Sequence, residues 1–189
     1  MRDAIEFFKA ALRNPLEVST IFPTSKYLAE TLLSNGDFLH AQHVIELGAG
    51  TGAITKHLQK KISAFSYLGI ELDHQMIQYL RRNFPSLRFE AGLAENMSNW
   101  AEPATVDLIV SSLPWTVFSD ETQEKTIAAI LSTLRPGGVF LTYICANALL
   151  YPQAKSFVNR LKNGFATVER RPLEWLNIPP AFVYKSSKR

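Results

Sequence analysis

A single cysteine, Cys145, leaves this 189-residue chain without any possible internal disulfide. Its four histidines, His40, His43, His57 and His74, show no metal-ligand spacing with that cysteine, so no metal is expected. An apolar run of about 18 residues is also missing, which excludes a membrane-spanning helix and leaves only superficial membrane contact. At the N-terminus Arg2, Asp3, Glu6 and Lys9 alternate in sign. This does not read as a secretory signal, and the chain is expected to stay in the cytoplasm. No internal repeat or low-complexity stretch is present. The net charge of +3 is a small excess that permits an anionic partner without requiring one.

With 47% hydrophobic residues, the chain is long enough for one well-cored domain over 1–189 and too short for two ordinary ones. Residues 3 to 13 read as a helix stopped by Pro15, and Thr24 or Ser25 caps a second helix from Lys26 to about Ser34. Val44 to Leu47 is then a short apolar strand running into Gly48-Ala49-Gly50-Thr51-Gly52, with a helix from Ala53 to Lys61. Further strands are predicted over Ser66–Leu72, Leu87–Ala91, Val106–Ser111 and Val139–Cys145. Helices are predicted over Asp73–Asn83, Glu121–Leu134 and Gln153–Asn163, and Arg135-Pro136-Gly137-Gly138 reads as a turn. Phe165–Arg171 and Ala181–Lys185 are two last strands with no helix between them, a terminal antiparallel hairpin. The expected fold is therefore a doubly wound, seven-stranded, mostly parallel α/β sheet of Rossmann-like type, with ligands at the carboxyl ends of the strands.

Gly48, Gly50 and Gly52 lie at such a strand end, where backbone without Cβ approaches a ligand closely. Glu71 closes the second strand roughly 20 residues on, where a carboxylate can accept hydrogen bonds from both hydroxyls of an adenosine ribose. Gly48-x-Gly50-x-x-Ala53 also satisfies the dinucleotide fingerprint. The context separates the two: Glu46 stands two residues before the first glycine, Gly52 adds a third, and the closing hairpin has no place in a standard dinucleotide fold.

The string from Glu46 to Gly52 resembles the glycine-rich motif of class I S-adenosylmethionine-dependent methyltransferases. That resemblance implies S-adenosylmethionine as cofactor. It places the methionine part on Glu46, Gly48, Ala49, Gly50 and Gly52, the ribose on Glu71 beside Leu72, and the adenine at the end of the third strand, at Leu93 and Ala94. Many members carry an acidic residue directly after the glycine at that strand end. Here Leu93 follows Gly92, so the adenine amino group must be met by backbone or by Glu95 or Asn96.

Ser111-Ser112-Leu113-Pro114-Trp115 resembles the (Asn/Asp/Ser)-x-Pro-aromatic motif of amine-directed methyltransferases. The acceptor nitrogen in such a displacement must be neutral, desolvated and aimed by a hydrogen bond. Ser112 is the expected aiming group, Ser111 borders the cofactor, and Leu113, Pro114 and Trp115 line the acceptor. Trp115 would offer a π face to the cationic nitrogen, worth about 0.5 to 2 kcal/mol; the alternative is a proline-stiffened loop with a core tryptophan. Tyr143, near the end of the fifth strand, is expected either to point into the same crevice as a catalytic group, its hydroxyl available to the acceptor or the cofactor, or to be a core tyrosine.

The whole chain resembles small bacterial phospholipid N-methyltransferases. The strings that carry this are Phe7-Phe8 through Arg13-Asn14-Pro15, Phe22-Pro23-Thr24-Ser25, Ser112-Leu113-Pro114, Thr142-Tyr143 and Trp175-Leu176-Asn177-Ile178-Pro179-Pro180. The resemblance implies a phosphatidylethanolamine-like substrate, with Thr24 and Ser25 near the cofactor and Asn177 near the substrate. In the first helix, at about 3.6 residues per turn, Arg2, Lys9 and Arg13 fall within about 40° of one another. Ala4, Ile5, Phe8 and Leu12 occupy the adjoining arc. Residues 1–35 are thus expected to be a lid or a contact with the anionic inner face of a membrane. Nucleic acid is the less expected substrate: Ser112 replaces the asparagine or aspartate usual in adenine N6-methyltransferases, and no helical stretch follows the hairpin in this sequence. A soluble amine is the remaining alternative.

Overall fold

A run such as Val44–Leu47, buried at every residue, needs strand neighbours on both edges and helices over both faces. The computed structural model describes residues 24–61 and 67–189. The elements are α1 (Lys26–Ser34), β1 (Val44–Leu47), α2 (Thr55–Leu58), β2 (Tyr67–Glu71), α3 (His74–Asn83), β3 (Arg88–Ala91), β4 (Val106–Ser111), α4 (Asp120–Thr133), β5 (Leu134–Cys145), α5 (Pro152–Gly164), β6 (Thr167–Glu174) and β7 (Ala181–Ser187). Short 3-10 turns follow β3 and β5 at Ala94–Asn99 and Ala146–Leu150. The predicted helix over residues 3–13, with its basic stripe, lies outside the described residues.

The seven strands form one sheet in the order β3-β2-β1-β4-β5-β7-β6. Pairing is parallel from β3 to β5 and antiparallel for β5 with β7 and β7 with β6, which is the predicted closing hairpin. Side chains alternate across the sheet. Val44, Leu108 and Val110 face α1, α2 and α3, meeting Leu28, Leu32, Leu58 and Leu80. Ile45, Leu47, Ile109 and Phe140 face α4 and α5, meeting Ile127, Ile130, Phe157 and Leu161. Ser25, Asp73 and Ser119 cap α1, α3 and α4, their side-chain oxygens accepting from backbone N–H groups that a helix start leaves unpaired, one each for the serines and two for Asp73.

Two local expectations are corrected. The helix predicted from Ala53 to Lys61 shrinks to four residues, because its first turn is occupied by the glycine bend and Ile54 at its start supplies no side-chain cap. Arg135-Pro136-Gly137-Gly138 is not a turn before β5 but an irregularity inside it: Leu134 already pairs with Val106, the next pair is Val139 with Leu108, and Gly137 takes φ of +75°. Lys188 holds this bulge from the other edge, its N–H donating to Gly138 O at 2.9 Å. Pro172 sits in β6, an outer strand, beside its own register shift, where a missing ladder donor is tolerated.

Candidate active site

The strand order reverses between β1 and β4, which opens a crevice at their carboxyl ends. Gly48 N–H donates to Ile70 O (2.8 Å), and Ser112 N–H donates to Leu47 O (3.0 Å). The glycine bend is thereby bonded to β2, and the loop after β4 to β1. Glu71 is buried, and its carboxylate collects three backbone donors: Gly50 N–H on Oε2 (2.8 Å), and Leu72 and Asp73 N–H on Oε1 (2.7 and 3.0 Å). Burial raises its pKa above the ordinary carboxylate value, opposed by those same three bonds. About two hydrogen bonds fill a carboxylate oxygen, so Oε2 keeps one acceptor position facing away from Gly50.

The glycines do different work. A Cβ at Gly48 would lie 3.0 Å from Leu113 Cδ2 and 3.4 Å from Ser112 Oγ, so the bend and the β4 loop approach closely only because that atom is missing. At Gly50, with φ of +53°, a Cβ would meet only Gly48 O, at 3.9 Å, among the described residues, which leave the bend open there. Gly52 is packed instead against Phe84 of the α3–β3 turn. Gly92, at the end of β3, lies against the Trp100 ring.

Ser112 Oγ donates to Gly48 O at 2.6 Å. Its only hydroxyl proton is thus directed at the bend, and what the oxygen can offer elsewhere is lone pairs. Ser111 is fully buried; its Oγ accepts from Leu113 N–H (3.2 Å) and its carbonyl accepts from Thr142 Oγ1 (3.1 Å), so it shapes the loop from beneath. Tyr143 shares a hydrogen bond with Thr24 Oγ1 at 2.9 Å, and burial pushes its phenol up to about 12. Ser25 N–H donates to Asn177 Oδ1 at 3.0 Å, tying the start of α1 to the β6–β7 turn.

Two side chains, Trp115 and Asn177, are not where the sequence places them, and a third, Glu46, is held from below. Trp115 is 1% exposed, stacked on Phe157 at 4.3 Å between centroids, with Phe118 and Phe140 edge-on; its indole donates to Thr142 Oγ1 at 2.9 Å. No π face is left for an acceptor. Asn177 is buried and spends its amide on Ser25 N–H and on Pro179 O (2.6 Å), so it holds the turn together rather than reaching a substrate. Glu46 lies under the glycine bend, its Oε2 accepting from Thr55 Oγ1 (2.8 Å) and Tyr67 OH (2.5 Å). Burial pushes its carboxyl up to about 7, and Oε1 has no partner among the described residues. The partners Thr55, Tyr67 and Gln123, whose Nε2 donates to Trp115 O at 2.7 Å, were not signalled by any local motif, and Thr142 stood only within the Thr142-Tyr143 string.

Residues 44–138, half of the chain, match the family described as Methyltransferase domain. The chain belongs to this family. It is a class I S-adenosylmethionine-dependent methyltransferase, whose cofactor leaves as S-adenosylhomocysteine. The methyltransferase is 26% identical over 191 residues to the ornithine lipid N-methyltransferase of Singulisphaera acidiphila, with 97% of this chain and 95% of the relative covered. It is 29% identical over 162 residues to the malonyl-[acyl-carrier protein] O-methyltransferase of Porphyromonas gingivalis, covering 86% of this chain and 59% of that protein. Among solved structures, the N-methyltransferase NodS of Bradyrhizobium japonicum, in complex with S-adenosyl-L-homocysteine, shares the fold at a TM-score of 0.73 and 15% identity over 88% of each chain.

The residues of the methyltransferase fit that cofactor. The open side of Gly50 can take the methionine part, and the remaining Oε2 position of Glu71 can accept from a ribose hydroxyl. Leu93 and Ala94, half-buried where β3 ends, can offer only backbone to an adenine. Among the described residues no cluster of histidine, cysteine or carboxylate side chains is placed to hold a metal ion.

Proposed function

We propose that this methyltransferase transfers a methyl group from S-adenosylmethionine to the primary amine of a lipid headgroup, phosphatidylethanolamine-like or aminoacyl, at the inner face of the membrane. The observation that carries the lipid class is the end-to-end likeness to an ornithine lipid N-methyltransferase, which extends well beyond residues 44–138 into both flanks. The amine class is supported by Ser112. With its proton committed to Gly48 O, its oxygen is an acceptor toward the crevice and suits an amine N–H, turning the nitrogen lone pair away from itself.

The cofactor, when bound, supplies a methyl on a sulfonium, open to in-line displacement. The chain's contribution is position. Glu71 and the glycine bend hold one partner, Ser112 aims the other, and the Gly48–Leu113 contact keeps the two loops at fixed spacing. Such positioning carries most of the rate in reactions of this kind. Tyr143 closes the crevice on the α1 side through Thr24, and Thr24 and Ser25 border the cofactor there. In this reading the chain is one domain, and residues 1–35 are its lid and membrane-contact segment.

The test is transfer of labelled methyl from S-adenosylmethionine to vesicles containing phosphatidylethanolamine or ornithine lipid, with ribosomal RNA as a parallel substrate. Label in the lipid fraction is expected. Label in RNA alone, or only in a soluble amine, overturns the lipid reading.

A further inference from the structure

The turn between β6 and β7 is built inside out. Trp175, Leu176 and Ile178 are 72%, 61% and 76% exposed, while the polar Asn177 between them is buried. The polar atoms face the protein. Asn177 binds Ser25 N–H and Pro179 O, Glu174 accepts from Leu176 N–H (3.0 Å) and from Thr31 Oγ1 (2.6 Å), and Pro180 O accepts from Ala146 N–H (2.7 Å). A turn meeting only water would show the reverse, polar groups outward and apolar ones packed. The connection after β5, bonded to this turn through Ala146, adds exposed Leu150 and Tyr151. Lys26, next to Ser25, and Lys155, one helical turn past Tyr151, are exposed cations at the same end.

We propose that this turn is a membrane wedge: Trp175, Leu176 and Ile178 enter the interfacial layer of a bilayer and set the crevice over a lipid headgroup. The proposal rests on the lipid-amine reading above. Three side chains on one convex turn present on the order of 400 Å², about half of the ~800 Å² that each partner gives to a stable protein–protein interface. That area is small for a protein partner, but its chemistry suits the interface, where tryptophan and tyrosine collect and basic groups meet anionic headgroups. Location argues the same way. Asn177 joins the turn to Ser25, whose neighbour Thr24 bonds Tyr143, so the apolar tip stands at the rim of the crevice. A lipid whose amine reaches Ser112 has to leave its acyl chains outside, and the rim is where they emerge.

Trp115 is buried and Trp100 half-buried, so Trp175 is the exposed reporter, and Trp175→Phe gives the background. The full chain is mixed with vesicles of phosphatidylethanolamine and phosphatidylglycerol. Trp175 emission should shift to shorter wavelength and be quenched by brominated acyl chains, with both signals absent in Trp175→Phe. The combined change Trp175→Ser, Leu176→Ser, Ile178→Ser should weaken vesicle partitioning at least tenfold and leave cofactor affinity unchanged. Methylated lipid without any Trp175 response would overturn the wedge and leave the lipid reading standing. Insertion with no label in either phosphatidylethanolamine or added ornithine lipid would leave a membrane contact but overturn the lipid reading and, with it, the wedge's part in setting the crevice over a headgroup. A Trp175 already shielded from an aqueous quencher without vesicles would mean that residues 1–23 or a second copy cover the turn, and would overturn the wedge.

Discussion

The two ends of the crevice rim are built on opposite plans. On the β1–β2 side the polar groups are carboxylates drawn inward, Glu71 onto three backbone N–H groups and Glu46 onto Thr55 and Tyr67. On the β5–β7 side the polar groups are again turned inward, but what they leave outside is tryptophan, leucine and isoleucine. One side therefore recognises by a few fixed bonds in a buried place, and the other by area at the surface. Damage to the first should appear in stability and cofactor affinity, and damage to the second mainly in where the protein goes.

The largest effect is expected at the buried floor between the two sides. Trp115→Ala should cost about 3 to 5 kcal/mol in chemical denaturation. The milder Trp115→Phe should leave the KM for the acceptor within twofold, because the ring has no exposed face; a tenfold rise would restore it as a substrate contact. Glu46 comes next. Folding raises its carboxyl from the ordinary 4.5 to about 7, so the folded protein keeps a proton that the unfolded chain releases. Stability should fall as pH rises from 4.5 to 7, by about 3 kcal/mol in all. Glu46→Gln should flatten that slope; an unchanged slope would place the titrating group elsewhere. Glu71→Ala strands the N–H groups of Gly50, Leu72 and Asp73, and should weaken S-adenosylmethionine binding roughly 100-fold by calorimetry, about 2.7 kcal/mol. Unchanged affinity would break the contrast at its strongest point. Thr24→Val, which removes the partner of the Tyr143 hydroxyl, should cost only about 1 kcal/mol, read as a small fall in thermal midpoint.

What could be read along the chain was whatever the chain writes locally. The glycine bend, its strand and Glu71 lie within one β-α-β unit, and the closing hairpin betrayed itself by two strand patterns with no helix between them. The surroundings of side chains that depend on distant partners were not legible. Trp115 sits beside a proline in a loop, and the distant rings that help to bury it, Phe157 and Phe140, come from α5 and β5. Asn177 carries no mark of the bond it makes across 152 positions to Ser25. Glu46 reads as part of the glycine motif, yet a residue two before the bend points to the sheet face of Val44, where Thr55 and Tyr67 wait. Arg135-Pro136-Gly137-Gly138 has turn chemistry, but Leu134 is already paired with Val106 and Lys188, just past β7, bonds Gly137 and Gly138, so the stretch stays within β5.

The chain of donors from the Trp115 indole through Thr142 to the Ser111 carbonyl has a consequence for traffic. It rivets the ends of β4 and β5 together in a place with no water to replace a broken bond, so that wall of the crevice is the stationary one. Spent cofactor has to leave, and its successor enter, past a side that can swing. Among the described residues the α1 side is latched by two part-buried bonds, Thr24 to Tyr143 and Ser25 to Asn177. The second of these bonds is made by the same turn that bears Trp175, so docking and reloading would share that turn.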